Sequence, residues 1–87
     1  YAPDCEVILC PKKESIEGDS IAFIGFESYP NLSFQIKINN NLEYMHHLYS
    51  FFIDCDKLKI KKAFCQFPIQ DEFEDVLLNR IEKAIMK

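Results

Sequence analysis

Between Leu32 and Leu42 the spacing of apolar residues switches from two to the three-to-four of a helix, and this switch most constrains what the chain can fold into. Leu32, Phe34, Ile36 and Ile38 alternate with Ser33, Gln35 and Lys37, which makes one strand face apolar and the other polar. Asn39, Asn40 and Asn41 interrupt that strand, and Asn40 with Glu43 has the spacing of a capping box, so a helix is predicted to start there. A strand and a helix that each carry an apolar face need one another, and a layer of helices on a layer of sheet follows. With 87 residues only one such core can be filled, because a domain this small buries about 60–65% of its unfolded surface. Residues 1–87 are therefore read as a single domain.

The remaining elements fall around this pair. Cys5 to Cys10 is rich in strand formers and is closed by Pro11, which cannot donate to a ladder. Gly18-Asp19 signals a turn, and Ser20 to Phe26 is apolar on both faces, the mark of a central strand. Lys57-Leu58-Lys59-Ile60-Lys61 alternates again and continues through Ala63 to Phe67, which predicts a fourth strand with a bulge near Lys62. Asp71 and Glu74 repeat the capping spacing ahead of Phe73, Val76, Leu77, Ile81, Ala84 and Ile85, a second amphipathic helix. The expected fold is α+β: a two-layer sandwich in β-β-β-α-β-α order, with a mostly antiparallel four-stranded sheet and both helices on one face. The third and fourth strands, joined through the first helix, can pair in parallel by a right-handed crossover.

Composition narrows the function classes. Hydrophobic residues make up 48%, charged residues 28%, and there are 2 glycines, which excludes a disordered or collagen-like chain. Every apolar run is interrupted well short of the roughly 18–20 residues of a membrane span. The net charge is -4 with a single arginine, so nucleic acid would have to be met by a local patch. The chain opens Tyr1-Ala2-Pro3 with neither an initiator Met nor a basic-apolar leader, which suggests a processed product or an excised domain. Cys5, Cys10, Cys55 and Cys65 would allow two disulfides in a secreted protein. Cys5 and Cys10, five apart on one strand, point to opposite faces, and no turn between them suits a metal knuckle. Buried thiols in a cytoplasmic protein are the expectation, with a secreted, doubly bridged chain as the alternative.

Two function classes follow. In the first, the chain is a non-catalytic protein-interaction domain that occupies a partner's surface, as small acidic inhibitors, immunity proteins and adaptors do. The first helix carries two adjoining apolar stripes, Leu42, Met45, Tyr49, Phe52 and Ile53 beside Tyr44, Leu48 and Phe51, more than one helix face needs. Tyr44, Leu48 and Phe51, with the lone Arg80 on the second helix, are the expected partner-binding residues. The partner is another protein, one with a basic surface suiting the acidic balance. No cofactor or metal is expected under this reading.

In the second class, Asp19 ahead of one strand and Gln35 with Lys37 on the next form the order used by metal-dependent nucleases of the PD-(D/E)xK type. There an oxygen ligand would hold Mg²⁺ and a lysine would orient the attacking water. Lys57, Lys59, Lys61 and Lys62 would meet the phosphates, or else guard a strand edge against pairing. His46 and His47 point about 100° apart on a helix and cannot easily share one metal.

Overall fold

The structure, a computed structural model, describes residues 1–10, 16 and 18–87. Its elements are β1 (Glu6–Cys10), β2 (Ile21–Gly25), β3 (Phe34–Lys37), α1 (Asn41–Lys57), β4 (Lys62–Gln66) and α2 (Glu74–Met86), in the β-β-β-α-β-α order expected from the sequence. Pro11, read as the end of the first strand, lies outside the described residues.

The four strands form one sheet in the order β1-β4-β2-β3, and every pairing is parallel. The mostly antiparallel sheet expected from the sequence is thus overturned. A short link between strands usually signals a hairpin, since a parallel return needs room to run back along the sheet. Here residues 26–33 make that return without a helix. Tyr29 packs its ring against Phe23 with centroids 4.8 Å apart. Both main-chain groups of Tyr29 are held by the Gln35 amide: its N–H donates to Oε1 at 2.9 Å and its carbonyl accepts from Nε2 at 2.6 Å. The signal for parallel pairing was present in β2, whose five residues are all buried. A run buried on both faces belongs to a sheet covered on both sides. β3 and β4 are parallel but not adjacent, because β2 lies between them.

The two faces of the sheet are covered unequally. On one, α1 crosses β2 and β3 while α2 lies along β1. Ala22, Ile24, Ala63, Cys65 and Val7 meet Tyr44, Leu48, Phe51, Phe52 and Cys55 of α1 and Leu77, Ile81 and Ala84 of α2 in the main core. Phe34 stacks on Phe51 at 5.7 Å and Phe26 stands edge-on to Tyr44 at 5.8 Å. The other face carries a smaller cluster of Cys10, Ile16, Ile21 and Phe23, covered by Tyr29 and Leu32 of the loop.

Helix ends explain two further departures. α1 begins as predicted, with the Glu43 N–H donating to Asn40 Oδ1 at 2.9 Å. It runs on to Lys57 and closes with Lys59 in the left-handed region (φ 56°), the Lys59 N–H on Asp56 O and the Ile60 N–H on Cys55 O. This is a Schellman close with lysine where glycine is usual. Lys57 to Lys61 are therefore a helix end and turn rather than a strand, and β4 starts only at Lys62. At α2, Asp71 does not cap the helix. Its carboxylate accepts from the Phe73 N–H at 2.8 Å in a turn that precedes the first helical residue, Glu74.

Candidate functional site

In an open parallel sheet, ligands are usually taken at the carboxyl ends of the strands, where neighbouring strands send their connections in opposite directions. Here that point lies between β2, whose chain leaves toward β3, and β4, whose chain leaves toward α2 over β1. The crevice is filled by the protein itself. Gln66, 1% exposed at the end of β4, accepts from the Phe26 N–H at 2.7 Å through Oε1 and donates through Nε2 to Glu27 Oε2 at 3.2 Å. Its own carbonyl accepts from the Tyr44 hydroxyl at 2.7 Å. Gly25 is required beside it: a Cβ there would sit 2.4 Å from Gln66 Oε1, 2.6 Å from Gln66 Cβ and 2.5 Å from the Phe23 ring. The Gln66 amide thus occupies the Phe26 N–H at this switch point.

A second buried amide extends the seal. Asn41, the first residue of α1, donates from Nδ2 to Ile69 O at 2.6 Å and to Asp71 Oδ1 at 2.7 Å, and accepts from the Ile69 N–H at 3.1 Å. These bonds pin residues 67–71 across the top of the sheet. What this edge offers to solvent is negative and partly apolar: Glu72 and Asp75 are exposed beside Asp71, with Phe67 and Ile69 each 43% exposed. Lys37 is the cation at the end of β3.

The opposite, amino end of the sheet is mixed in charge. Lys57, Lys59, Lys61 and Lys62 are all exposed there, and Lys59 and Lys61 line a wide depression together with Asp4, Glu6 and Asp56. They belong to a helix end, a turn and a strand start rather than to one strand face. β4 is an interior strand, so they do not guard an edge either. The thiols of Cys5 and Cys55 are in hydrogen-bonding contact at this end, and burial pushes both upward, Cys55 to about 12. Buried, protonated thiols are poor nucleophiles. All four cysteines are buried thiols with no disulfide among them.

A third surface lies outside, between the helices. Tyr1, Met45, Leu48, Tyr49, Phe52, Arg80 and Lys83 line a half-open groove of about 260 Å³. Tyr1 forms one wall, its ring edge-on to Tyr49 at 5.3 Å and its hydroxyl donating to Asp56, a bond that raises the phenol to about 12.

The expected nuclease residues are not brought together. Asp19 stands ahead of β2 at the amino end, Lys37 closes β3 at the carboxyl end, and Gln35 between them is committed to Tyr29. Among the described residues there is no cluster of three or more His, Cys, Asp or Glu side chains placed to hold a metal ion. His46 and His47 are both exposed. Of the expected partner-binding residues, Tyr44 and Phe51 are fully buried and face the sheet, so they belong to the core and not to a free surface. The outward stripe is Leu42, Met45 and Tyr49, and only Leu48 and Arg80 of the expected set reach the groove. The sealing residues Gln66, Asn41 and Gly25 were missed. A buried amide carries no periodic signal, although glycine at the end of an otherwise buried strand was a visible hint of close approach.

Among the described residues no helix is long and apolar enough to cross a membrane. No curated protein and no solved structure matches the chain significantly. A family model does match, over residues 1–85: that of the threonylcarbamoyl-AMP synthase C-terminal domain. The match takes in nearly the whole chain, which belongs to the threonylcarbamoyl-AMP synthase C-terminal domain family.

Proposed function

We propose that this chain is a non-catalytic docking domain of a threonylcarbamoyl-AMP synthase, and that it seats its acidic carboxyl edge on the part of the synthase that forms the adenylate. The observation that carries this reading is the filled crevice between β2 and β4. Gln66 occupies the place where such a sheet would take a nucleotide, the Glu27 carboxylate is bonded to it, and Asp71, Glu72 and Asp75 add negative charge on the segment that follows β4, so a phosphate would meet repulsion there. The same edge suits a protein. Phe67 and Ile69 are apolar anchors ringed by acids. A site that makes an acyl-phosphate adenylate must surround that phosphate with cations, which gives the acidic edge a complementary surface.

The test is calorimetric titration of this chain with the separately prepared adenylate-forming portion of a threonylcarbamoyl-AMP synthase, at low and high salt. Binding is expected to weaken about tenfold or more in Glu72→Lys/Asp75→Lys and to weaken with salt. ATP with Mg²⁺ is expected to give no heat with this chain alone. Binding of ATP to the chain, or docking indifferent to both salt and the charge reversal, would overturn the reading.

A further inference from the structure

We infer that the groove between α1 and α2 is a second docking site, one that takes a peptide segment carrying an apolar side chain flanked by carboxylates. Its floor is apolar: Met45, Leu48 and Phe52 from one helix, with Tyr49 and Tyr1 as a wall. A thioether on such a floor adapts to the shape of what enters. Leu42, 48% exposed, stands one turn before Met45, and Val76, 43% exposed, one turn before Arg80, so the apolar strip continues along both helices beyond the groove. A volume of about 260 Å³ accepts one or two large side chains and is small for a free-standing cofactor.

The rim names the charge of the occupant. Arg80 and Lys83 stand three apart on α2, and neither side chain has a hydrogen bond or ion pair with any other described residue. Their helical neighbours three and four residues away are Val76, Leu77, Asn79, Ala84, Met86 and Lys87, with no carboxylate among them. Asp56, the carboxylate at the foot of α1 that meets the Tyr1 wall of the groove, is already engaged by the Tyr1 hydroxyl and the Asp4 N–H. In a chain of net charge -4 whose only arginine is Arg80, two adjacent unpartnered cations over an apolar floor complement a carboxylate brought in from outside. This site is distinct from the acidic edge in place and in sign.

The experiment uses amide NMR on the ¹⁵N-labelled chain, titrated with acetyl-Asp-Glu-Leu-Phe-Glu-Asp-amide and with the same peptide carrying Asn and Gln in place of its acids. The acidic peptide is expected to shift Met45, Tyr49, Phe52, Arg80 and Lys83. Affinity should fall at least tenfold for the neutral peptide, and equally for Arg80→Gln/Lys83→Gln, which keeps length and helix propensity. Equal affinity of the two peptides, shifts confined to the carboxyl edge, or shifts at the groove that depend on protein concentration without peptide would each overturn the proposal, the last by making a second copy the occupant. Because Glu72→Lys/Asp75→Lys leaves the groove untouched, failure here and failure of docking through the edge are read separately.

Discussion

The carboxyl edge of the sheet and the groove between the helices are both places where a small αβ domain can hold something, yet they are finished in opposite ways. At the edge every buried polar group is answered from within: Gln66 by Phe26 and Glu27, Asn41 by Ile69 and Asp71, the Tyr44 hydroxyl by Gln66. In the groove, the Arg80 and Lys83 side chains have no hydrogen-bond or ion-pair partner among the described residues, and Tyr49 is 58% exposed. A region satisfied internally contributes to stability and presents a fixed shape. A region left unsatisfied contributes little to folding and is available to bind. The crevice that a parallel sheet would lend to a ligand thus serves here as structure, and the surfaces we propose for partners are the acidic rim above it and the cationic groove.

The contrast can be broken first at Gly25. Gly25→Ala is expected to lower the unfolding free energy by about 2–3 kcal/mol, since the atoms it meets include Gln66 Cβ and the buried Phe23 ring, which have nowhere to move. A urea midpoint unchanged from the parent chain would show that the crevice is looser than described. Gln66→Leu should cost about 2 kcal/mol by leaving the Phe26 N–H unanswered, and amide exchange at Phe26 should accelerate with it.

Alkaline pH sharpens the comparison, because apart from Tyr1 on the groove wall the groups held protonated lie in the core. Burial raises Tyr44 and Cys65 well above their ordinary values, and burial followed by the neighbouring Cys5 raises Cys55 from 9.0 to about 12. The folded state binds these protons more tightly than the unfolded chain does. Their contribution is therefore fully present below about pH 9 and is lost as pH climbs from there through about 12. Urea midpoints should fall steadily over that window, and less steeply in Cys55→Ala.

The smallest effect belongs to the groove. Tyr49→Ser and Arg80→Gln are expected to change stability by no more than about 0.5 kcal/mol, as surface substitutions away from buried networks do. A loss of several times that amount would mean the groove is structural after all.

Much of this arrangement was legible along the chain, and what was not has identifiable causes. The alternation from Leu32 to Ile38 and the Asn40–Glu43 cap locate β3 and the start of α1, because both signals are local. Strand direction is not local. It was set by the return of residues 26–33 across the sheet, which rests on the Gln35–Tyr29 bonds and the Phe23–Tyr29 contact. Gln35 looked like half of a metal site and is a clamp for that loop. The lysines from 57 to 61 mimic a strand because alternation over a short stretch also fits a helix end followed by a left-handed turn at Lys59. The stripes of α1 could not be ranked from periodicity, since both are apolar. Packing chose Tyr44, Leu48 and Phe51 for the sheet, where the Tyr44 hydroxyl reaches the end of β4.

The most direct test of the docking account is amide shift mapping of the labelled chain on addition of the adenylate-forming portion of a threonylcarbamoyl-AMP synthase. The account predicts changes at Phe67, Ile69, Glu72 and Asp75 that vanish in Glu72→Lys/Asp75→Lys. Changes centred instead on the amino-end lysines Lys57 to Lys62, or no change at any residue, would contradict it.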